Sequence, residues 1–192
     1  MYKRQPRGYD FSGSNKLPFK INSSENIIIF FPGSTIGNFE KKDAVKFLKM
    51  LKLKFKAKKI IIGADLIKDI PTLISAYNDK KGVTAKFNKN ILQRMNTELG
   101  SNINLNFYKH LAIYNKSKKR IEMRLKAKKN NNIRINGSKY SIKKNEEIHT
   151  ENSHKYTIKS FNNLANEAGW KITKTWVDDK KLFSVHFLDL DL

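Results

Sequence analysis

The segment His149-Thr150-Glu151-Asn152-Ser153 concentrates residue types that can handle protons and polar rings. If the segment is extended, side-chain alternation puts His149, Glu151 and Ser153 on one face. A carboxylate and a hydroxyl two residues apart could grip a ring carrying two nitrogens. Glu151 would accept from one N–H, while Ser153 donates to or accepts from the other nitrogen. Taken alone, the same residues read better as a polar strand end facing water. Zinc fits poorly, because His149 and His154 lack H-E-x-x-H order and the chain has no cysteine or nearby third ligand. A second candidate lies upstream, where Ile27–Phe31 runs into the turn Pro32-Gly33-Ser34-Thr35-Ile36-Gly37-Asn38. An apolar run stopped by Pro and Gly reads as a strand buried on both faces of a parallel sheet. In open α/β sheets ligands sit just past the carboxyl ends of strands, where Gly33–Asn38 falls. A connecting turn with an ordinary helix cap would look the same.

Both candidates depend on the elements that carry them. Ala44, Phe47, Leu48 and Leu51 repeat at helical spacing in a Lys-rich frame, and Lys59–Ala64 reads as a second buried strand ending on Asp65. Strand, helix and strand make one βαβ unit with a right-handed crossover. Helices are predicted over Ile70–Tyr77 and Val83–Leu99, the latter with Phe87, Ile91, Met95 and Leu99 on one stripe. From Asn104 to Glu151 the period becomes two: Leu111/Ile113, Ile121/Met123/Leu125, Ile133/Ile135 and Tyr140/Ile142 predict an antiparallel meander. Thr157–Ala168 reads as a capped amphipathic helix with Ile158, Phe161, Leu164 and Ala165 inward. Trp170–Val177 and Leu182–Leu188 form a closing hairpin. The aromatics Phe47, Phe87, Phe107, Phe161, Trp170 and Trp176 are read as core, because each lies in an apolar periodic pattern.

Composition narrows the function. A net charge of +22 invites a basic nucleic-acid-binding module. However, the cations are almost all Lys, with Arg only at 4, 7, 94, 120, 124 and 134, and Arg is the residue that forks onto phosphates and guanine edges. The abundance of Lys, Asn and Ile matches an AT-rich genome, so most lysines are expected on solvated faces and no specific nucleic-acid partner is expected. No run is long enough to span a bilayer, and no charged start precedes an apolar signal centre. Together with the absence of cysteine, this suggests a cytoplasmic protein without a membrane partner.

Several blocks in order, FFPGSTIGNF, IGADLIKD, AYNDKKGVTAKFNKN, RIEM, IHTENSHKY and LFSVHF, resemble the S-adenosylmethionine-dependent histidine N-methyltransferases of ergothioneine biosynthesis. The resemblance runs from about residue 9 to 188. It implies a partial Rossmann-like class I methyltransferase α/β sheet with an inserted substrate-binding subdomain of helices and antiparallel strands. The expected division is 6–66 for the second half of the α/β core, 67–153 for the insertion, and 154–192 for the helix and hairpin completing the core. It implies that Asn38 and Tyr77 hold the amino-acid end of histidine. Glu151 and Ser153 hold the imidazole, and Met123 of RIEM lines that pocket. Asp10 and Phe11 occupy the place of an acidic–aromatic pair that contacts adenine, and Gly33 is expected on the cofactor side. Transfer would go from S-adenosylmethionine to the α-amino group, three times, to the betaine; another aromatic amino acid is the alternative substrate. The family's earlier βαβ units and glycine-rich cofactor turn have no counterpart here. Residues 1–5 are accordingly expected to be a foreign leader, and the chain a C-terminal portion that is inactive and poorly soluble alone.

Overall fold

The computed structural model describes residues 26–190. Asp10, Phe11 and the leader at 1–5 lie outside them. Strand β1 (Ile28–Phe31) leads through a short 3-10 turn at Thr35–Asn38 into helix α1 (Lys41–Phe55), and β2 (Lys59–Asp65) returns parallel to β1. Helices α2 (Ile70–Tyr77) and α3 (Val83–Glu98) follow. Strands β3 (Tyr108–Asn115), β4 (Arg120–Ala127), β5 (Asn131–Ile135), β6 (Ser138–Ile142) and β7 (Glu147–His154) come next. Helix α4 (Ile158–Glu167) and the hairpin β8 (Trp170–Val177) and β9 (Phe183–Leu190) close the chain. The first sheet has the order β1-β2-β9-β8, so the closing hairpin joins the βαβ unit antiparallel, as expected.

The core of this half forms where α1 and α4 pack on the sheet. Ala44, Phe47, Leu48 and Leu51 of α1 meet Phe161, Leu164 and Ala165 of α4 over Ile60, Ile62 and Leu188. Each Leu, Ile or Phe among them contributes about 1.5–3 kcal/mol on full burial. Trp170 is fully buried and its indole N–H donates to Leu48 O at 3.0 Å, so its one polar atom is satisfied. Helix α4 starts with a reciprocal cap: Thr157 Oγ1 accepts from Ser160 N and Ser160 Oγ accepts from Thr157 N.

Three expectations need correction. Strand β1 is not buried on both faces: Ile29 and Phe31 pack against the core, but Ile28 and Phe30 are 54% and 70% exposed, because among the described residues nothing covers their face. The predicted meander is split. Strands β3-β4-β7 form one antiparallel sheet, and β5 and β6 leave it as a separate hairpin. Apolar periodicity also overcounts the core: Phe87 (64%), Ile91, Leu99, Ile158 and Trp176 are exposed, Phe107 is only partly buried, and α3 turns Asn88 and Leu92 inward instead. The stripe on α3 sits one position away from the face that the sheet covers.

Candidate substrate site

Strand β7 carries the site, and its ladder with β4 is irregular. Ile148 pairs with Leu125 and His149 with Arg124, but Glu151 pairs with Met123 and Ser153 with Ile121, so Thr150 is an extra residue. Paired residues share a face, and such a bulge breaks the alternation. Glu151 and Ser153 therefore face the same side as Met123 and Ile121, while His149 joins Arg124 on the other face. The expected His149/Glu151/Ser153 alignment is thus wrong for His149, whose ring Nε2 instead lies 3.2 Å from the Glu151 carbonyl oxygen.

The bulge is fixed from α3. The Thr150 hydroxyl lies 2.6 Å from Asn88 Oδ1 and 2.9 Å from Met123 O and shares its one proton between them. Asn88 Nδ2 donates to Arg124 O at 3.1 Å and to His110 Nδ1 at 2.9 Å. That leaves His110 Nε2 protonated, to donate to Tyr77 O at 2.8 Å. One buried amide thereby ties the bulge of β7 to the end of α2.

On the bulge's inner face, Met123 is buried with Ile121 and Leu73, and Tyr77 and Ala112 pack against them. The Tyr77 hydroxyl lies 2.7 Å from Ser153 Oγ. Lys155 reaches both, with Nζ 2.9 Å from Tyr77 Oη and 2.8 Å from Ser153 Oγ, and it pairs with Asp65 Oδ2 at 2.7 Å. Glu151 differs from its neighbours. Its carboxylate is half-buried and makes no hydrogen bond or ion pair among the described residues. Burial raises its pKa above the ordinary carboxylate value, with the nearby Lys155 cation partly opposing this.

The turn after β1 comes up to β7 from the other unit. Gly33 and Ser34 both take left-handed backbone conformations (φ 72° and 57°), and Ser34 Oγ accepts from Asp65 N at 2.9 Å. Gly37 lies so close to β7 that a Cβ there would meet His154 O at 2.8 Å, so only glycine lets the turn approach. This brings Asn38 to a cleft of about 350 Å³ lined also by His149, Thr150, Glu151 and Asn152. Glu40, just beyond, receives Arg120 from β4. Arg120 and Arg124 also grip the buried Glu122. Burial alone would raise that carboxyl, but hydrogen bonds from Arg124, Arg120 and Asn115 hold it at about 2.

Of the expected site residues, the fold joins Asn38 to Glu151 across this cleft. It brings Tyr77, Met123 and Ser153 together outside that lining, with the Tyr77 hydroxyl bonded to Ser153. Gly33 sits at the end of β1 with open space where a Cβ would stand, which fits a backbone surface for a cofactor. Sequence reading missed Lys155, Asp65 and Asn88. Lys155 had a usable signal, being two residues past Ser153 and four past Glu151, on the same alternation. Asn88 had none, since its partners lie 22 to 62 residues away.

The chain is 34% identical over 154 residues to a histidine N-alpha-methyltransferase of Mycolicibacterium smegmatis, covering 79% of this chain and 48% of that protein. It is 32% identical over 155 residues to the enzyme of the same name from Mycobacterium tuberculosis, with the same coverages. The chain thus spans about half the length of these relatives. Among solved structures, an S-adenosylmethionine-dependent methyltransferase from Clostridium acetobutylicum aligns with a TM-score of 0.44 at 10% identity, over 95% of this chain and 63% of that one. The family model for histidine-specific, SAM-dependent methyltransferases matches residues 3–190. The chain belongs to the family of histidine-specific, S-adenosylmethionine-dependent methyltransferases.

Proposed function

We propose that this chain is the substrate-recognising part of an N-methyltransferase that takes methyl groups from S-adenosylmethionine and places them on the α-amino group of histidine. The observation that carries the reading is the half-buried Glu151 carboxylate. It has no partner among the described residues and shares a face with Ser153 and the buried Met123. A carboxylate raised by burial gains most from an N–H donor, and a charge-assisted bond to an imidazole N–H supplies one. Ser153 reaches the second ring nitrogen, and Met123 provides an apolar floor. A site built around such bonds can reject side chains lacking them by about 10⁴-fold. The names of the two mycobacterial relatives support histidine as the substrate.

S-adenosylmethionine, when bound, supplies an electrophilic sulfonium methyl. The chain's own task is then to deliver an unprotonated amine in line and to exclude water. An α-amino group titrates near pH ~8, so a useful fraction is neutral at neutral pH. Asn38, exposed in the cleft facing Glu151, would aim that nitrogen. Tyr77 would contribute to the amino-acid end while also bonding Ser153. Gly33, with its open left-handed backbone, would lie against the cofactor, and Asp10 and Phe11 are proposed as further contacts. Division of the chain at 66/67 and 153/154 follows the same reading. Since only the turn after β1 fits the cofactor among the described residues, turnover is expected to need the part of the relatives' length that this chain does not span.

Titrating the isotopically labelled chain with histidine tests the recognition. Histidine, but not phenylalanine, should perturb the amides of Thr150–Ser153 and Gly33–Asn38. Equal perturbation by phenylalanine would discard the imidazole assignment, and no perturbation by any amino acid would discard the site.

A further inference from the structure

Lys155 is a buried cation set directly against Ser153 and Tyr77, in surroundings that no solvated role explains. Its side chain is 0% exposed. The ammonium has three protons and no lone pair, and it has three oxygen partners: Asp65 Oδ2 at 2.7 Å, Ser153 Oγ at 2.8 Å and Tyr77 Oη at 2.9 Å. Asp65 is also held by Lys68 at 2.5 Å and its backbone N–H by Ser34 Oγ, so the anchor is rigid. Lys155 therefore pushes a hydrogen into each of the two hydroxyl oxygens. These are 2.7 Å apart and share one further bond. A phenol is the stronger acid of the two and the poorer acceptor, so Tyr77 donates to Ser153. Both lone pairs of Ser153 are then filled, one by Lys155 and one by Tyr77. What remains is its own O–H, free to donate.

We propose that Lys155 is a specificity-determining positioning residue, acting through Ser153 and Tyr77 to make Ser153 an obligatory donor, so that the site takes a ring with one N–H and one bare nitrogen. The inference rests on the substrate reading above. Glu151 accepts the N–H, Ser153 donates to the bare nitrogen, and a doubly protonated imidazolium would direct an N–H at the Ser153 proton. The same arrangement excludes an indole, which has a donor and no acceptor nitrogen. The charged and titratable groups around this position come from every neighbouring element. They are His149, Glu151 and Lys155 on and beyond β7, Asp65 at the end of β2 with Lys68 after it, Tyr77 on α2 and His110 on β3. Tyr114 on β3, Arg94 on α3 (paired with Glu98), Glu40 beyond the turn, and Arg120, Glu122 and Arg124 on the other face of β4 lie around them. Among them, only Lys155 and Tyr77 saturate Ser153.

The test is ¹⁵N spectroscopy of ring-labelled histidine bound to the full chain at about pH 6, below the ordinary imidazole value of about 6.5. With the wild type, the bound ring should show one bare and one protonated nitrogen although the free ring is mostly charged. With Lys155→Met, which keeps the length of the side chain, Ser153 regains a lone pair and the bound ring should carry protons on both nitrogens. Tyr77→Phe keeps the buried cation and Asp65 paired, and it should shift the bound ring the same way. It therefore decides the matter if Lys155→Met fails to fold. A doubly protonated ring on the wild type, or an unchanged neutral ring on a folded Tyr77→Phe and Lys155→Met, would overturn the proposal. Histidine that binds with neither the Glu151 nor the Ser153 amide responding would overturn the substrate reading itself, and this inference with it.

Discussion

Replacing Asn88 by Ala tests whether a single buried amide holds the substrate strand in its register. The substitution removes two donated bonds, to Arg124 O and His110 Nδ1, and one accepted bond from Thr150. A typical bond contributes about 1 kcal/mol net. The Thr150 hydroxyl keeps Met123 O at 2.9 Å, so its loss is small. Arg124 O and His110 Nδ1 are left without a side-chain partner in a largely buried place. The sum is about 2–3 kcal/mol. For a chain of this size, 1 kcal/mol moves the melting temperature by roughly 2–4 °C, which predicts a fall of about 4–12 °C. The assay is thermal and urea denaturation followed by circular dichroism, with Lys86→Ala, an exposed position on the same helix, as the control expected within about 0.5 kcal/mol. Histidine affinity should fall as well, because Thr150 no longer fixes the peptide preceding Glu151. A loss below about 0.5 kcal/mol, or one matched by Lys86→Ala, would refute the view that Asn88 sets the bulge.

Other outcomes follow from the same geometry. Gly37→Ala puts a methyl 2.8 Å from His154 O, so either the turn or β7 must move. A loss of about 1–3 kcal/mol in denaturation is expected, together with weaker histidine binding as Asn38 withdraws from Glu151. His186 is fully buried between Ser184 and Thr175 and stacked on Phe161, and burial pushes its pKa down to about 4. It stays neutral in the fold while the unfolded chain takes up a proton as pH falls below about 6.5. Its contribution to stability is therefore complete above that value and is lost progressively down to about pH 4, amounting to about 3 kcal/mol. His186→Gln should flatten most of that slope in pH-dependent denaturation. His154, also lowered by burial, supplies a remainder of the same sign. A slope unchanged by His186→Gln would contradict the assignment.

The α/β half was legible because its signals are local. A short apolar strand, a helical repeat at Ala44, Phe47, Leu48 and Leu51, and a capping Thr157 each specify their element within a few residues. The order of the closing hairpin followed from the same patterns. The site was legible in part. Glu151 and Ser153 could be paired by counting, but the counting assumes a regular ladder, and the extra residue at Thr150 is held by an amide 62 positions away. His149 fell on the wrong face for that reason. Phe30, Phe87 and Trp176 show the converse limit, since apolar character says a residue can be buried and not that something covers it. Lys155 was marked by its place on the alternation, two residues past Ser153, but not by its residue type. Among so many solvated lysines, composition gave no reason to separate out the one whose ammonium meets a carboxylate and two hydroxyls.

The central claim, that Glu151 recognises an imidazole N–H for methyl transfer, is tested most directly by joining this chain to the N-terminal half of one of its mycobacterial relatives. Transfer from S-adenosylmethionine to histidine is then compared for wild type and Glu151→Gln. The account predicts turnover that falls by about 10²-fold or more in kcat/KM with Glu151→Gln, while the unjoined chain shows none. Wild-type and Glu151→Gln proteins that methylate histidine equally well would contradict it.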